Sequence, residues 1–148
     1  GVDPKDRFNP ASAARWRAES DGKFDPAKTP FLHHILRPYV KSGTVFHCPA
    51  DIGWTTNRLS QDDTDGGLRD VHPSSYVRFG TSYYCWTGFS LGLNTAADIK
   101  NPAQEVLLFD GELWHGSKVN SSVNGLFADG HVQNLTFDQF MTASNGGD

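Results

Sequence analysis

The strongest local constraint in this 148-residue chain is a dipeptide, Asp129-Gly130, placed between two short apolar runs. Upstream, Gly125-Leu126-Phe127-Ala128 reads as a strand, and downstream His131-Val132-Gln133-Asn134-Leu135 carries apolar Val132 and Leu135. Asp-Gly suits a two-residue type I′ turn, in which both central residues need positive φ. The segment therefore predicts a C-terminal hairpin. Glu105-Val106-Leu107-Leu108-Phe109-Asp110, a continuous apolar run between Pro102 and Gly111, supplies a buried strand to pair near it. Ser82-Tyr83-Tyr84-Cys85-Trp86-Thr87 reads as another strand by its aromatic and β-branched content. A small antiparallel sheet, long loops and little helix place the chain in the α+β class.

Helical signals are few. Asn9 before Pro10 caps a short helix over Ala11 to Glu19, and the rest of residues 1–30 reads as irregular, with prolines at 4, 10, 26 and 30. Phe31, Leu32, Ile35 and Leu36 form one apolar stripe of a second helix that Pro38 ends or bends. The neighbouring His33 and His34 cannot face the same way, so one is expected outside and one at the helix edge. Thr95 to Ile99 and Thr136 to Met141 read as a short turn and a closing helical turn.

The length suits one domain with a core of its own, and eighteen aromatic residues argue against disorder. A formal net charge of −4 with no cluster of Lys and Arg disfavours a nucleic-acid binder. The charge is uneven: residues 75–148 hold Arg78, Lys100 and Lys118 against seven acids, which accounts for the whole −4. Any cation site therefore belongs to that half or to the acidic loop just before it.

Two clusters could hold a metal. Asp62, Asp63 and Asp65, with Gly66 and Gly67, resemble the middle of a calcium loop, but Gln61 and His72 stand where an EF-hand needs Asp and Glu. Asp110, Glu112, His115, Asp129 and His131 would meet at one end of the sheet if the Val106–Asp110 strand pairs beside the hairpin. Their mixed carboxylate and imidazole donors suit zinc or another transition metal, whereas calcium would use the carboxylates alone. Two cysteines, Cys48 and Cys85, leave two readings open. One is a disulfide, which in the chain-entropy model is worth on the order of 4 kcal/mol; the other is a pair of buried thiols. The chain has no phosphate-binding glycine loop, and no catalytic residue is assigned. Trp16, Trp54, Trp86 and Trp114 would have to share an exposed face to stack on sugars.

Three longer stretches are more specific than any of these clusters. They are Leu36-Arg37-Pro38-Tyr39-Val40-Lys41 with Val45-Phe46-His47-Cys48-Pro49-Ala50-Asp51, Asn101-Pro102-Ala103-Gln104-Glu105-Val106-Leu107-Leu108-Phe109-Asp110, and Asn124-Gly125-Leu126-Phe127-Ala128-Asp129-Gly130-His131-Val132. In this order they resemble the bacterial prepilin-like proteins whose C-terminal motif is His, nine residues, Asp-Gly, relatives of type IV pilins and type II secretion pseudopilins. The motif's His would fall at position 119, where this chain has Val119; the nearest histidine is His115. The resemblance implies a pilin-like head domain and a non-enzymatic subunit of a pilus or type II secretion pseudopilus. It also implies an apolar N-terminal helix, not found in this sequence, that anchors the subunit in the inner membrane and packs against other pilin or pseudopilin subunits. Calcium in a loop near the C-terminal sheet and an extracytoplasmic location, periplasm or cell surface, follow from the same resemblance. That location favours the Cys48–Cys85 disulfide. The alternatives are an extracytoplasmic carbohydrate- or ligand-binding module and a metal-dependent hydrolase built on Asp110, His115, Asp129 and His131.

Overall fold

A computed structural model describes residues 1–59, 68–91, 95–117 and 119–144. The fold is mixed α+β around one antiparallel sheet. Its strands are β1 (Tyr83–Cys85), β2 (Val106–Asp110), β3 (His115–Gly116), β4 (Ser121–Phe127) and β5 (Val132–Thr136). The helices are α1 (Pro4–Phe8), α2 (Pro10–Glu19), α3 (Leu32–Leu36), α4 (Ser75–Phe79), α5 (Thr87–Leu91) and α6 (Phe137–Ser144). Among the described residues, no helix is long and apolar enough to cross a membrane.

β4 is the spine of the sheet. β5 runs along one edge, from Ser122↔Thr136 to Leu126↔Val132. The other edge is shared in tandem: β2 pairs with residues 125–127 of β4, and β3 pairs with Ser121 and Ser122. β1 closes the far side of β2, with Tyr83 opposite Asp110 and Cys85 opposite Leu108. Between β2 and β3 the chain bulges out through Gly111–Trp114, which interrupts the ladder beside Asn124. The Asp110 carboxylate fills that gap, accepting the Asn124 main-chain N–H at 2.6 Å.

The predicted hairpin forms, with a different loop. Phe127 donates its N–H to His131 at 2.9 Å, and Gly130 donates to the Phe127 carbonyl at 3.0 Å. That leaves three loop residues, Ala128, Asp129 and Gly130, and only Gly130 has a positive φ, +94°. This is a turn closed by a glycine bulge, for which one left-handed residue suffices, in place of the expected two-residue type I′ turn.

α2 starts as predicted, with Asn9 Oδ1 accepting the N–H groups of Ala11 and Ser12. The first thirty residues are more ordered than their composition suggested. α1 is capped by the Asp3 side chain, Val2 bridges to Phe31, and Arg7 lies over the Phe31 ring, its centre 4.0 Å from the guanidinium carbon. In α3 the apolar stripe is not the buried face: His33 is buried, its ring 5.6 Å from that of Phe31, while Ile35 is exposed.

The core joins Trp54, Val71, Tyr84, Val106, Phe109, Val123, Phe127, Leu135 and Phe140. α6 is held over the sheet by Phe140, whose ring lies 4.9 Å from Phe109 and 5.7 Å from Trp86. Gly53 allows the loop after Cys48 to press on the Trp54–Val71 bridge; its φ is +67°, and a Cβ there would sit 1.8 Å from the Val71 carbonyl oxygen.

Candidate metal centre

The loop from Cys48 to Gly53 is organised by one buried carboxylate. Asp51 accepts the main-chain N–H groups of Gly53 (3.0 Å), Ser75 (3.0 Å) and Tyr76 (2.9 Å), and the Ser82 hydroxyl (2.7 Å). It therefore satisfies the open N–H groups at the start of α4 and ties the loop to the residue preceding β1. Ser82 Oγ in turn accepts the Cys48 N–H at 3.0 Å. The consequence is positional: the Cys48 thiol is held against the end of the sheet where β1, β2 and β3 meet.

Three side chains converge there. His115 Nε2 lies 3.1 Å from Asp110 Oδ2 and 3.4 Å from Cys48 Sγ. All three donor atoms fall within 4.8 Å of one another. Asp110 is fully buried (0% exposed), and its Oδ1 has no hydrogen-bond partner. Burial raises the Asp110 carboxyl above the usual carboxylate range, against the Asn124 hydrogen bond and His115, which both lower it. The Cys48 thiol is likewise pushed up, by burial first and then by the neighbouring Asp110 and Asp51 carboxylates. Tyr83, beside them on β1, is raised to about 12, again chiefly by burial.

This geometry differs from a Cys–His–Asp relay. A relay uses the two imidazole nitrogens separately, one toward the nucleophile and the other toward the acid that orients the ring. Here thiol and carboxylate both face Nε2, and the thiol is made less acidic, opposite to what activates a cysteine. Convergence of sulfur, nitrogen and oxygen on one point is the arrangement of a metal's donors.

Only part of the expected cluster assembles. Asp110 and His115 come together, and the sequence reading missed Cys48, which lies 62 residues before Asp110 and reaches it only through the Asp51 loop. Glu112 is buried but turned away, accepting from Leu113 N–H at 2.6 Å, from Arg58 Nε at 3.1 Å and from the Arg58 N–H. Asp129 and His131 are at the opposite end of the sheet. Phe127, just before their turn, pairs with Val106 at the start of β2, whereas Asp110 ends it, a separation of about 13 Å along the strand. They pair with each other instead: Asp129 Oδ1 accepts the His131 main-chain N–H at 3.1 Å and lies 2.6 Å from His131 Nδ1, and these contacts, the main-chain one first, hold the Asp129 carboxyl below its usual range.

The expected disulfide is absent: Cys48 and Cys85 are both buried free thiols. Cys48 faces Asp110 and His115, whereas the Cys85 thiol, in β1, is raised to about 12 by burial and by Asp3 from the N-terminal segment. The two thiols are committed to different surroundings. Asp62, Asp63 and Asp65 lie outside the described residues. The four tryptophans do not make an open face; Trp54 is buried and donates Nε1–H to the Leu68 carbonyl at 2.6 Å, and Trp86 packs on Phe109. The Cys48, Asp110 and His115 donor set does not fit calcium, which prefers several oxygens to a sulfur and an imidazole.

Comparison of the chain with protein-family models, with curated proteins and with solved structures finds no match.

Proposed function

We propose that this chain is the globular head of a pilin-like or pseudopilin-like subunit, a non-enzymatic building block of a type IV pilus-like or type II secretion assembly at the cell envelope. The observation that carries the reading is what the residues of the three resembling stretches do. Asp51 gathers four donors from three segments, Asp110 completes the sheet ladder at Asn124, and Ala128-Asp129-Gly130 closes the β4–β5 hairpin. They serve as joints of one small antiparallel sheet. His115, four residues before the motif's position, opens β3 and pairs opposite Ser122; this departs from the family pattern, and no role of the family histidine is carried over to it.

A subunit of this type needs an N-terminal helix for membrane and filament packing. The deciding experiment is to read the start of the intact gene and sequence the mature protein's N-terminus. A short basic leader cleaved before Phe, followed by Glu at the fifth mature position and about 20 apolar residues, is the expected result. An ordinary secretory signal, or none, overturns the proposal.

A further inference from the structure

We propose that Cys48, Asp110 and His115 form a binding site for one zinc-like divalent cation, which clamps the Cys48–Asp51 loop to the ends of β2 and β3. The donor set is soft to borderline, one sulfur, one imidazole nitrogen and one carboxylate oxygen, which selects zinc over calcium or magnesium. The spacing also fits. Zinc bonds of about 2.0–2.3 Å in a tetrahedron place neighbouring donors about 3.3–3.8 Å apart. The His115–Asp110 and His115–Cys48 separations are 3.1 and 3.4 Å, so small shifts suffice to seat the ion.

A second observation points to the same ligand. Asp110 is completely buried, yet Oδ1 has no partner, although a buried unpaired carboxylate oxygen is costly. Nε2 carries at most one proton, and the side-chain hydrogen bond between the Cys48 thiol and Asp110 still leaves Oδ1 without a partner. A dication contacts all three at once and offers the carboxylate its missing counter-charge. The supports expected around a metal are present too. The Asn124 N–H orients the Asp110 carboxylate, and the Ser82 hydroxyl, itself held by Asp51, fixes the Cys48 backbone. His115 is the most accessible member, with 26% of its side chain exposed, which leaves the fourth position to water. The site uses only this chain's residues and stands independently of the pilin reading.

The test is titration of the untagged, reduced, metal-free chain with Zn²⁺ by competition against a chromophoric chelator, and with Co²⁺ by absorption spectroscopy. One equivalent of each is expected to bind, Co²⁺ with a thiolate charge-transfer band and the visible spectrum of a four-coordinate ion, and Zn²⁺ with a rise in melting temperature of several degrees. Cys48→Ser should abolish the charge-transfer band. His115→Gln, at the most exposed ligand, should retain the fold by circular dichroism and weaken Zn²⁺ by ~100-fold or more, beyond the loss typical of an outer-shell change. The paired Asp129→Asn and His131→Gln substitutions, at the other end of the sheet, should leave binding unchanged. The proposal is overturned if the wild-type chain binds no stoichiometric metal, if Co²⁺ binds without a thiolate band, or if full affinity survives in folded His115→Gln. Should Cys48→Ser fail to fold, the wild-type cobalt spectrum and His115→Gln decide alone.

Discussion

Asp51 offers the sharpest test of how this fold is held together. Three main-chain N–H groups and one hydroxyl point at a single carboxylate, and Ser75 and Ser82 are fully buried, so these donors have no easy substitute in water. Hydrogen bonds to a charged group contribute about 1.5–3 kcal/mol each, though bonds sharing one acceptor do not add. Asp51→Ala strands all of these donors and opens a small cavity; a loss of about 4–5 kcal/mol is expected, in the upper tail for single substitutions. Asp51→Asn keeps the shape and one carbonyl oxygen, but its amide N–H₂ must face donors on the other side. About 2 kcal/mol is expected for it. Urea unfolding followed by tryptophan fluorescence reads both; with a slope of ~2 kcal/mol per molar for a chain of this size, the midpoints should fall by roughly 2 M and 1 M. If Asp51→Ala costs less than ~1 kcal/mol, or if the Asn variant costs as much as the Ala variant, the carboxylate is not the joint described.

Other outcomes follow from the same structure. Gly53→Ala should cost ~3 kcal/mol or more, or block folding, because its Cβ would overlap the Val71 carbonyl at a φ of +67°; a urea midpoint equal to wild type would refute this. Phe140→Ala should destabilise the chain by about 3–5 kcal/mol and free α6, seen as faster amide exchange over Phe137–Ser144. Burial raises the Asp3 carboxyl from 3.8 to about 7, so the folded chain keeps a proton that the unfolded chain has lost between these values. Its contribution is therefore full below about pH 4 and is lost as pH rises to about 7; relative to Asp3→Asn, the wild type should lose roughly 2–3 kcal/mol between pH 5 and 7.5. His33 acts in the opposite sense: burial lowers it to about 4, so stability falls as pH drops from 6.5 toward 4, and His33→Gln should flatten that acid limb in thermal unfolding curves.

The sequence by itself determined the parts whose signals are local. The Val106–Asp110 strand, the hairpin around Asp129-Gly130, and the Asn9 cap before Pro10 each follow from apolar continuity, turn chemistry or a proline at the first helical turn, and all three form. The same local reading missed where buried polar groups go. Nothing in the neighbours of His33 says that its ring is buried while Ile35 stays in water, and nothing around Glu112 announces Arg58. Cluster membership was the clearest failure. Asp110, Glu112, His115, Asp129 and His131 lie close in sequence, but antiparallel pairing of β2 with β4 sends Asp129 and His131 to the far end of the sheet. The same pairing leaves a break in the ladder that Asp110 fills, and Asp51 brings Cys48 to it from 62 residues away. A strand pattern states which side chains alternate; it does not state which register and which loop a long-range hydrogen bond will choose. Only the tertiary structure decided that a sulfur, an imidazole and a carboxylate with one unpartnered oxygen share one point.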